Sequence, residues 1–261
     1  MAESSGDVIY SRNPPFISEV VQAKLATTRL GLVGCGLSSQ LAVAALRLGV
    51  RHFSLWDGDA VELSNLNRQA FGKADIGANK AERTALLVKS IDASIEVEWF
   101  PSHVSVSDIA FVASRCDVVV NSADFTDPVF LALDESVTAQ GNWCLQPLNL
   151  GLGGSCLVFG PNAPSMRDLV GTARSEVEIL STLRSVVEGF APGITLEREM
   201  PRFLGERLPW FPQNIIATNI SVALMLSALV TIAVGDADSI TVPRIMHFDP
   251  ETLTTGVDKP I

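Results

Sequence analysis

The chain has 261 residues, of which 47% are hydrophobic and 18% charged, and its formal net charge is −10. The composition predicts a globular protein, and the length is enough for one large domain or two small ones; a single domain over residues 1–261 is expected. The acidic balance argues against non-specific binding to nucleic acid or anionic lipid, so neither a nucleic acid nor a membrane is expected as a partner.

Four cysteines are scattered along the chain, and no two of them form a C-x-x-C pair: Cys35, Cys116, Cys144 and Cys156. This spacing favours neither a zinc knuckle nor a thioredoxin-like site. Scattered cysteines in a large apolar chain are typical of reduced, buried thiols in a cytoplasmic protein. The N-terminus has no basic region followed by an apolar core, so no signal peptide is predicted.

The first half of the chain alternates strand-like and helix-like segments. The strand-like segments are RLGLVGC, HFSLWD, IEVEWFP and DVVVNSAD, and the helix-like ones are LSSQLAVAALRLGV, NKAERTALLVKSID and VSDIAFVASRC. This alternation predicts an α/β protein with a Rossmann-like, doubly wound, mostly parallel sheet and helices on both of its faces.

The second half begins with a predicted helix, PVFLALDESVTAQG, and one strand around CLQPLNLGLGGSCLVFG. Residues 160–213 then change character, and the prolines around a helical stretch, TARSEVEILSTLRSVVEGF, predict an excursion from the sheet that forms a lid or a substrate wall. Its arginines either meet a substrate carboxylate or phosphate, or form a solvated, salt-bridged helix face. They are Arg167, Arg174, Arg184, Arg198 and Arg202.

The apolar segment from Ile215 to Gly235 is long enough to cross a bilayer. It contains Thr218, Asn219 and Ser221, and no Lys or Arg flanks it closely, so a buried core helix is favoured over a membrane span. The last apolar stretch, ITVPRIMHFDPETLTT, predicts one or two antiparallel edge strands near the C-terminus.

A glycine turn follows the first predicted strand, where LVGCGLSS places Gly34 and Gly36 before a helix. Such a turn lets backbone amides approach phosphates at the helix N-terminus. The signal is weak by itself, because glycines here also let the helix and strand pack closely. Asp57 ends the second strand about 20 residues after Gly36, where a carboxylate that binds ribose belongs.

The segment DGDAVELSNLNRQAFG, which follows the second strand, is unusually rich in polar side chains. A nicotinamide dehydrogenase has no use for such a cluster, whereas a nucleoside triphosphate needs several partners. Arg68 can grip phosphate oxygens, Asn65 can hydrogen-bond phosphate or ribose, and Lys80 adds a second cation. Asp124 ends the fourth strand at the same edge of the sheet, where it can hold Mg²⁺.

Each of these residues also has a purely structural alternative. Arg68 can pair with Glu62 or Asp59 at the surface, Lys80 can be a solvated helix residue, and Asp124 can cap the helix that follows it. All three alternatives together are less favoured than a single triphosphate site.

DGDAVELSNLNRQAFG, supported by LVGCGLSS, GANKAE and NSAD, resembles the ThiF/MoeB/ubiquitin-activating (E1-like) family of ATP-dependent adenylating enzymes. The resemblance implies that ATP and Mg²⁺ are bound and that a carboxylate is activated as an acyl-adenylate with release of pyrophosphate. It implies a nucleotide site of Gly34, Gly36, Asp57, Asp59, Asn65, Arg68, Gln69 and Lys80. Catalytic roles fall on Arg68, Lys80, Arg12 and Asp124, and Asp124 is the metal ligand.

The resemblance further implies a homodimer, in which Arg12 reaches the triphosphate of the partner. Residues 1–30 would then form a helical lead-in and dimer arm. The activated carboxylate is expected to belong to a small molecule, to a peptide or to the C-terminus of a small carrier protein.

Three departures from the family pattern stand out. Leu37 and Ser39 occupy positions where the family usually has glycine, and the paired C-x-x-C zinc site of several members is missing. Residues 160–213 contain no cysteine, so the acyl group is expected to pass directly to a nucleophile without an enzyme thioester. Two alternatives stay open: a non-catalytic heterodimer subunit and, less favoured, an NAD(P)-dependent oxidoreductase.

Overall fold

One eight-stranded sheet organises the protein, with the strand order β3-β2-β1-β4-β5-β6-β7-β8. The computed structural model describes residues 9–124, 127–172, 178–179, 182, 212–251 and 253–256. The strands are β1 Arg29–Val33, β2 His52–Trp56, β3 Glu96–Phe100, β4 Val118–Asn121, β5 Trp143–Leu150, β6 Gly153–Phe159, β7 Met246–Asp249 and β8 Thr254–Gly256. Strands β3, β2, β1, β4 and β5 run parallel, and β6, β7 and β8 pair antiparallel. The predicted fold class, with its antiparallel strands near the C-terminus, is confirmed.

Seven α-helices connect or cover the described strands: α1 Glu19–Thr27, α2 Leu37–Leu48, α3 Lys80–Ile91, α4 Ile109–Arg115, α5 Leu133–Thr138, α6 Met166–Val170 and α7 Ile215–Val234. Their boundaries follow local chemistry. Asn79 caps α3 by accepting a hydrogen bond from the backbone N–H of Glu82, and Gly235 ends α7 in the left-handed conformation.

Both faces of the sheet are buried, as the alternation along its central strands shows. In β1, Leu30 and Leu32 join a core with α1, α2, α3 and α7, whereas Val33 joins a second core with α4, α5 and α6. In β4, Val120 faces the first core and Val119 the second. The sheet is therefore the middle layer of three, which leaves its carboxyl edge as the natural place for a ligand.

The single strand predicted around CLQPLNLGLGGSCLVFG was wrong, because the structure forms two antiparallel strands there. β5 and β6 are joined by a tight turn in which Leu150 pairs with Gly153. Gly151 has φ = 63°, a left-handed conformation that glycine adopts without the steric cost of a side chain. The turn brings Asn149 opposite Gly154.

Helix α7 packs against β5, β6 and α2. It is long and apolar enough to cross a membrane by length and composition, and 39% of its most apolar window is buried within the described part of the protein. Thr218 and Ser221 are fully buried at the sheet. A side chain at Gly154 would come within 2.7 Å of the Ser221 backbone nitrogen, so this glycine allows the helix to approach β6 closely. These contacts agree with the predicted core helix.

Only part of the predicted excursion over residues 160–213 is described. Helix α6 lies in it, and Arg167 pairs with Glu135 at 3.3 Å on the surface, which agrees with the salt-bridge alternative for that residue. Most of the predicted helix and the other arginines lie outside the described residues: Arg174, Arg184, Arg198 and Arg202.

Candidate functional site

A cavity of about 610 Å³ opens at the carboxyl ends of β1, β2, β4 and β5. Its size is within the range of cavities that hold small-molecule ligands. It is lined by every candidate nucleotide-binding residue from the sequence and by the candidate metal ligand: Gly34, Gly36, Asp57, Asp59, Asn65, Arg68, Gln69, Lys80 and Asp124. Topology brings these residues together because parallel strands end at one edge.

The glycine turn has the geometry of an anion-binding site. Gly34 has φ = 87°, and a side chain there would lie 2.8 Å from the Ser122 carbonyl oxygen. Gly36 is the N-cap of α2, and no side chain provides a cap hydrogen bond at this position. The positive end of the helix dipole therefore faces the cavity without a protein carboxylate on it.

Ser39, which replaces a family glycine, fastens the polar loop to this turn. Its hydroxyl donates to the Gly36 carbonyl at 2.7 Å and accepts from the Ala70 backbone N–H at 2.9 Å. The substitution thus ties the end of the polar loop to the start of α2, and it leaves the turn itself intact.

Asp57 is 5% exposed and braces the turn from the end of β2. One carboxylate oxygen accepts from the Cys35 N–H at 2.6 Å and the other from the Asp59 N–H at 2.8 Å. Burial raises the pKa of Asp57, while these two hydrogen bonds and Lys80 oppose the rise. A carboxylate accepts about four hydrogen bonds, so Asp57 keeps capacity for two ribose hydroxyls.

Lys80 is buried at the first position of α3, so its alternative as a solvated helix residue is wrong. Its ammonium lies 2.8 Å from the Asp59 carboxylate, which is half exposed. The same carboxylate lies 3.3 Å from Nε2 of His103, a cavity residue that the sequence analysis missed. A signal was present, because His103 follows the third predicted strand at the edge where the other site residues end.

Arg68 is anchored within the polar loop. Its Nε donates to the side chain of Gln213 at 2.8 Å, and its Nη1 donates to the Asn67 side chain at 2.8 Å and the Ser64 carbonyl at 3.2 Å. Pairing with Glu62 or Asp59 does not occur among the described residues. Partial burial lowers the pKa of the guanidinium. Gln213, which positions Arg68, was not found from sequence, because it lies 145 residues away.

Asn65 and Gln69 are both buried beside the turn. The Asn65 side-chain oxygen accepts from the Glu62 N–H at 3.0 Å, which shapes the loop. Gln69 packs against Gly36, and its buried Oε1 has no hydrogen-bond partner within the part of the chain that the structure describes. A buried unpaired oxygen calls for an unseen partner, and a bound ligand at this turn would supply one.

Asp124 lies exposed beyond β4 and lines the cavity. Its alternative as a helix cap is wrong, because Asp127 caps the next helical turn by accepting from the Val129 N–H at 2.8 Å. A carboxylate on the wall of this cavity matches the preference of Mg²⁺ for oxygen ligands, so Asp124 fits this metal.

Arg12 is the one candidate residue that the fold does not bring to the cavity. It lies exposed before α1 and is not part of the cavity lining. Its predicted action on the triphosphate of a partner is compatible with this position and stays a prediction.

The four cysteines are buried and unpaired. Burial raises the pKa of each thiol, in the case of Cys116 to about 12. Their thiols are therefore protonated at neutral pH and out of contact with solvent, which is the environment of packing residues.

The ThiF family model matches residues 10–258, nearly the whole chain. The chain belongs to the ThiF family. The resemblance to this family noted from the polar loop and the glycine turn is thus confirmed.

Several curated relatives of this ThiF-family protein are adenylating enzymes by name. Adenylyltransferase and sulfurtransferase MOCS3-1 of Zea mays is 30% identical over 66% of this chain and 37% of its own length. SAMP-activating enzyme E1 of Haloferax volcanii is 28% identical over 66% of this chain and 64% of its own length. Molybdopterin-synthase adenylyltransferase of Haemophilus influenzae is 29% identical over 59% of this chain and 63% of its own length. The matched part thus spans less than two thirds of each relative.

Solved structures share the fold at lower identity. E. coli MccB with MccA-N7isoASN superposes with a TM-score of 0.70 at 17% identity, over 98% of this chain and 74% of that one. PaaA superposes with a TM-score of 0.69 at 17% identity, over 97% of this chain and 79% of the PaaA chain. These likenesses establish the Rossmann-like fold of the ThiF-family chain.

Proposed function

We propose that this ThiF-family protein is an ATP-dependent adenylyltransferase that activates a carboxylate as an acyl-adenylate and releases pyrophosphate. One observation carries the proposal: a single cavity holds two cations, Arg68 and Lys80, the half-satisfied carboxylate of Asp57 and the exposed carboxylate of Asp124. These are partners for a triphosphate, a ribose and a metal ion. The names of the relatives and a structure of E. coli MccB with ATP support the same activity.

The proposed reaction is an in-line displacement at the α-phosphorus of ATP. A carboxylate oxygen of the substrate forms a bond to that phosphorus, and the bond to the bridging oxygen of pyrophosphate breaks, so the electron pair leaves with pyrophosphate. The chain supplies little covalent chemistry. It holds the ribose through Asp57 and spreads positive charge over the phosphates through Arg68, Lys80 and the amides of the glycine turn.

The Asp59–Lys80 pair has a place in this scheme. The 2.8 Å contact holds the Lys80 ammonium at the cavity wall before any nucleotide arrives. A triphosphate carries more negative charge than one half-exposed carboxylate, so it would compete well for the same ammonium. Asp59 thereby keeps Lys80 in place for its role.

Asp124 would hold Mg²⁺, which would supply positive charge to neutralise the negative charge that develops on the leaving pyrophosphate. Asp124 is exposed, and Asp127 rather than Asp124 caps the following helical turn, which supports this role. Asn65 and Gln69 would complete the phosphate end of the site.

The acyl group is proposed to pass directly to a nucleophile, without an enzyme thioester. The chain has only four cysteines, and each is buried with a raised thiol pKa. A thiol that receives an acyl group must be ionised and accessible. The same thiols support a reducing compartment, the cytoplasm.

The substrate is proposed to carry its carboxylate on a small molecule, a peptide or a small carrier protein. Two similar proteins support this proposal by their names: the SAMP-activating enzyme E1, and E. coli MccB, which was solved with MccA-N7isoASN. An NAD(P)-dependent oxidoreductase is disfavoured, because it gives Arg68 and Asp124 no task.

The test is ATP–pyrophosphate exchange by the purified full chain with MgCl₂. Peptides with free C-terminal carboxylates and small carboxylic acids are offered, and the same peptides with amidated C-termini serve as the control. Exchange that needs a free carboxylate supports the proposal. ATP binding without any exchange would point to the non-catalytic subunit, and binding of NADPH instead of ATP would point to the oxidoreductase.

A homodimer in which Arg12 acts on the partner's triphosphate is part of the proposal. Arg12→Ala and Asp124→Ala are each expected to abolish exchange, because the first removes a cation that would contact the phosphates and the second removes the carboxylate that would hold Mg²⁺. Mixing the two proteins creates dimers with one intact site, so about a quarter of the wild-type rate should return. If the mixture stays as inactive as its components at concentrations where dimers form, Arg12 does not act in trans.

A further inference from the structure

Asn149 is a polar side chain of the cavity that neither the sequence motifs nor the nucleotide site accounts for. It is the second-last residue of β5 and lines the cavity wall farthest along the sheet from β2. It lies next to the hairpin turn, in the part of the sheet where parallel pairing gives way to antiparallel pairing.

Two buried hydroxyl groups of α7 fix the orientation of its amide. The Asn149 Nδ2 donates to the Thr218 hydroxyl at 3.1 Å, and the Ser221 hydroxyl donates to the Asn149 Oδ1 at 2.8 Å. Thr218 and Ser221 are fully buried. The amide nitrogen carries two hydrogens, and Thr218 takes one, so one N–H remains to be satisfied.

This arrangement depends on an unusually close approach of helix and strand. Gly154, the register partner of Asn149, leaves room for α7, because a Cβ atom there would lie 2.7 Å from the Ser221 hydroxyl oxygen and 2.8 Å from the Ala217 carbonyl. A fixed side chain that faces a cavity is the usual form of a binding residue, because its orientation need not be ordered when the ligand arrives.

The strand order places Asn149 on the side away from the ribose. Along the edge the order is β2 with Asp57, β1 with the glycine turn, β4 with Asp124 and β5 with Asn149. Neighbouring strands lie about 4.8 Å apart, so β5 ends roughly 10 Å beyond the strand that carries the glycine turn. A carboxylate that approaches the α-phosphorus from the β5 side would meet Asn149.

We propose that Asn149 binds the acyl group of the substrate and determines its position. The remaining amide N–H donates to one oxygen of the substrate carboxylate while the other oxygen attacks the α-phosphorus. In the acyl-adenylate the bound oxygen is the carbonyl oxygen and still accepts this hydrogen bond. The inference rests on the proposed adenylyltransferase function and assigns the carboxylate end of that same site.

Two stable analogues separate the acyl subsite from the nucleotide subsite. One is glycylsulfamoyl adenosine, which mimics an acyl-adenylate, and the other is sulfamoyl adenosine, which lacks the acyl group. Calorimetry gives the ratio of their dissociation constants for the wild type and for Asn149→Ala. Asn219→Ala is the matched control, since Asn219 is exposed on α7, the helix that carries Thr218 and Ser221, and is not part of the cavity lining.

The wild type is expected to prefer the acylated analogue, and Asn149→Ala should lower this preference about 10-fold, or about 1.4 kcal/mol. The dissociation constant for ATP should change less than twofold in the same variant. Asn149→Asp should lower the preference further, because it presents an acceptor where a donor is needed. Thr218→Val, which removes the orienting acceptor, should have a smaller effect, about threefold.

An unchanged preference in Asn149→Ala and Thr218→Val, with ATP binding intact, overturns the inference and leaves the proposed function standing. Equal wild-type affinity for the two analogues also overturns it. If the wild type binds neither ATP nor either analogue, the proposed function fails and the inference fails with it. A loss of ATP affinity in Asn149→Ala equal to its loss of acyl preference would show a structural role only, and it also overturns the inference.

Discussion

Apart from the bond between Arg68 and Gln213, which joins residues 145 positions apart, the two ends of the cavity are held by hydrogen bonds of different sequence separation. At the nucleotide end, Asp57 accepts from residues 22 and 2 positions away, and Asn65 accepts from a residue 3 positions away. At the β5 end, Asn149 is held by Thr218 and Ser221, which lie 69 and 72 positions away. The bonds that hold Asp57 and Asn65 form within the first βαβ segment, whereas those that hold Asn149 form only after α7 packs against the sheet.

From this difference we expect separate sets of substitutions to weaken nucleotide binding and acyl-group binding. Local bonds at the nucleotide end keep its shape even where the rest of the fold is strained. Long-range bonds at the β5 end depend on the helix–sheet contact, so they respond to any change in that contact. The two ends should therefore be separable by mutation.

Among variants that compare the two ends of the cavity, the largest effect is expected from Arg68→Ala, which removes a cation that would contact the phosphates. Loss of one such electrostatic partner typically costs about 10²–10³-fold in rate. ATP–pyrophosphate exchange measures it, and urea unfolding checks that stability is kept. Gln213→Ala should reduce exchange only about 10-fold, because Gln213 orients Arg68 and leaves its charge in place. Equal losses of exchange activity in Arg68→Ala and Gln213→Ala would contradict the expectation that the charge of Arg68 matters more than its orientation.

The second prediction concerns how the buried carboxyl group of Asp134, on the β5 side of the sheet, makes stability depend on pH. Asp134 is fully buried in α5, and its carboxylate accepts from the Met166 N–H at 2.7 Å, where the excursion begins. Burial raises the pKa of Asp134 from 3.8 to about 6. The folded state therefore binds this proton more tightly than the unfolded state, and the resulting stability is complete below about pH 4 and lost as the pH rises through about 6.

Asp134→Asn should remove this pH dependence. Between about pH 4 and pH 7.5, the stability of the wild type relative to Asp134→Asn should fall by about 2–3 kcal/mol, measured by urea unfolding at each pH. Asp238→Asn, at an exposed position, is the control and should follow the wild type. A constant difference between wild type and Asp134→Asn across this range would show that the carboxyl is not buried as described.

The smallest effect on stability, and the most selective on function, is expected from Gly154→Ala. The new methyl group would overlap backbone atoms of α7, and such overpacking costs about 1–3 kcal/mol. Because the overlap pushes α7 away from β6, the preference for the acylated analogue should fall severalfold while ATP affinity stays unchanged. Gly72→Ala is the control, since Gly72, like Gly154, has no positive φ, and a Cβ atom there would meet only the Asp75 carboxylate at 3.8 Å, an ordinary contact. A parallel loss of ATP affinity in Gly154→Ala would mean that the two ends of the cavity are coupled.

Much of the nucleotide end was predictable, because its residues follow the ends of successive predicted strands or lie in one short polar segment. The glycine turn, Asp57, Arg68, Lys80 and Asp124 were all expected at one edge, and all line one cavity. Periodicity likewise predicted the parallel strands and the helices between them. The hairpin of β5 and β6 was missed, since the apolar residues run through both strands and the glycines at 151, 153 and 154 were not taken as a turn between them.

What the sequence by itself determined is the family, the sheet and the identity of the residues at the nucleotide end. Short-range spacing is enough for these, because a strand followed by a turn places its polar residues without help from the rest of the chain. Only the tertiary structure decided the partners of those residues, such as Gln213 on Arg68 and Asp59 on Lys80. It alone placed Asn149 in the cavity and fixed its amide, because that requires α7 to pack against Gly154, and packing between distant segments leaves no local pattern.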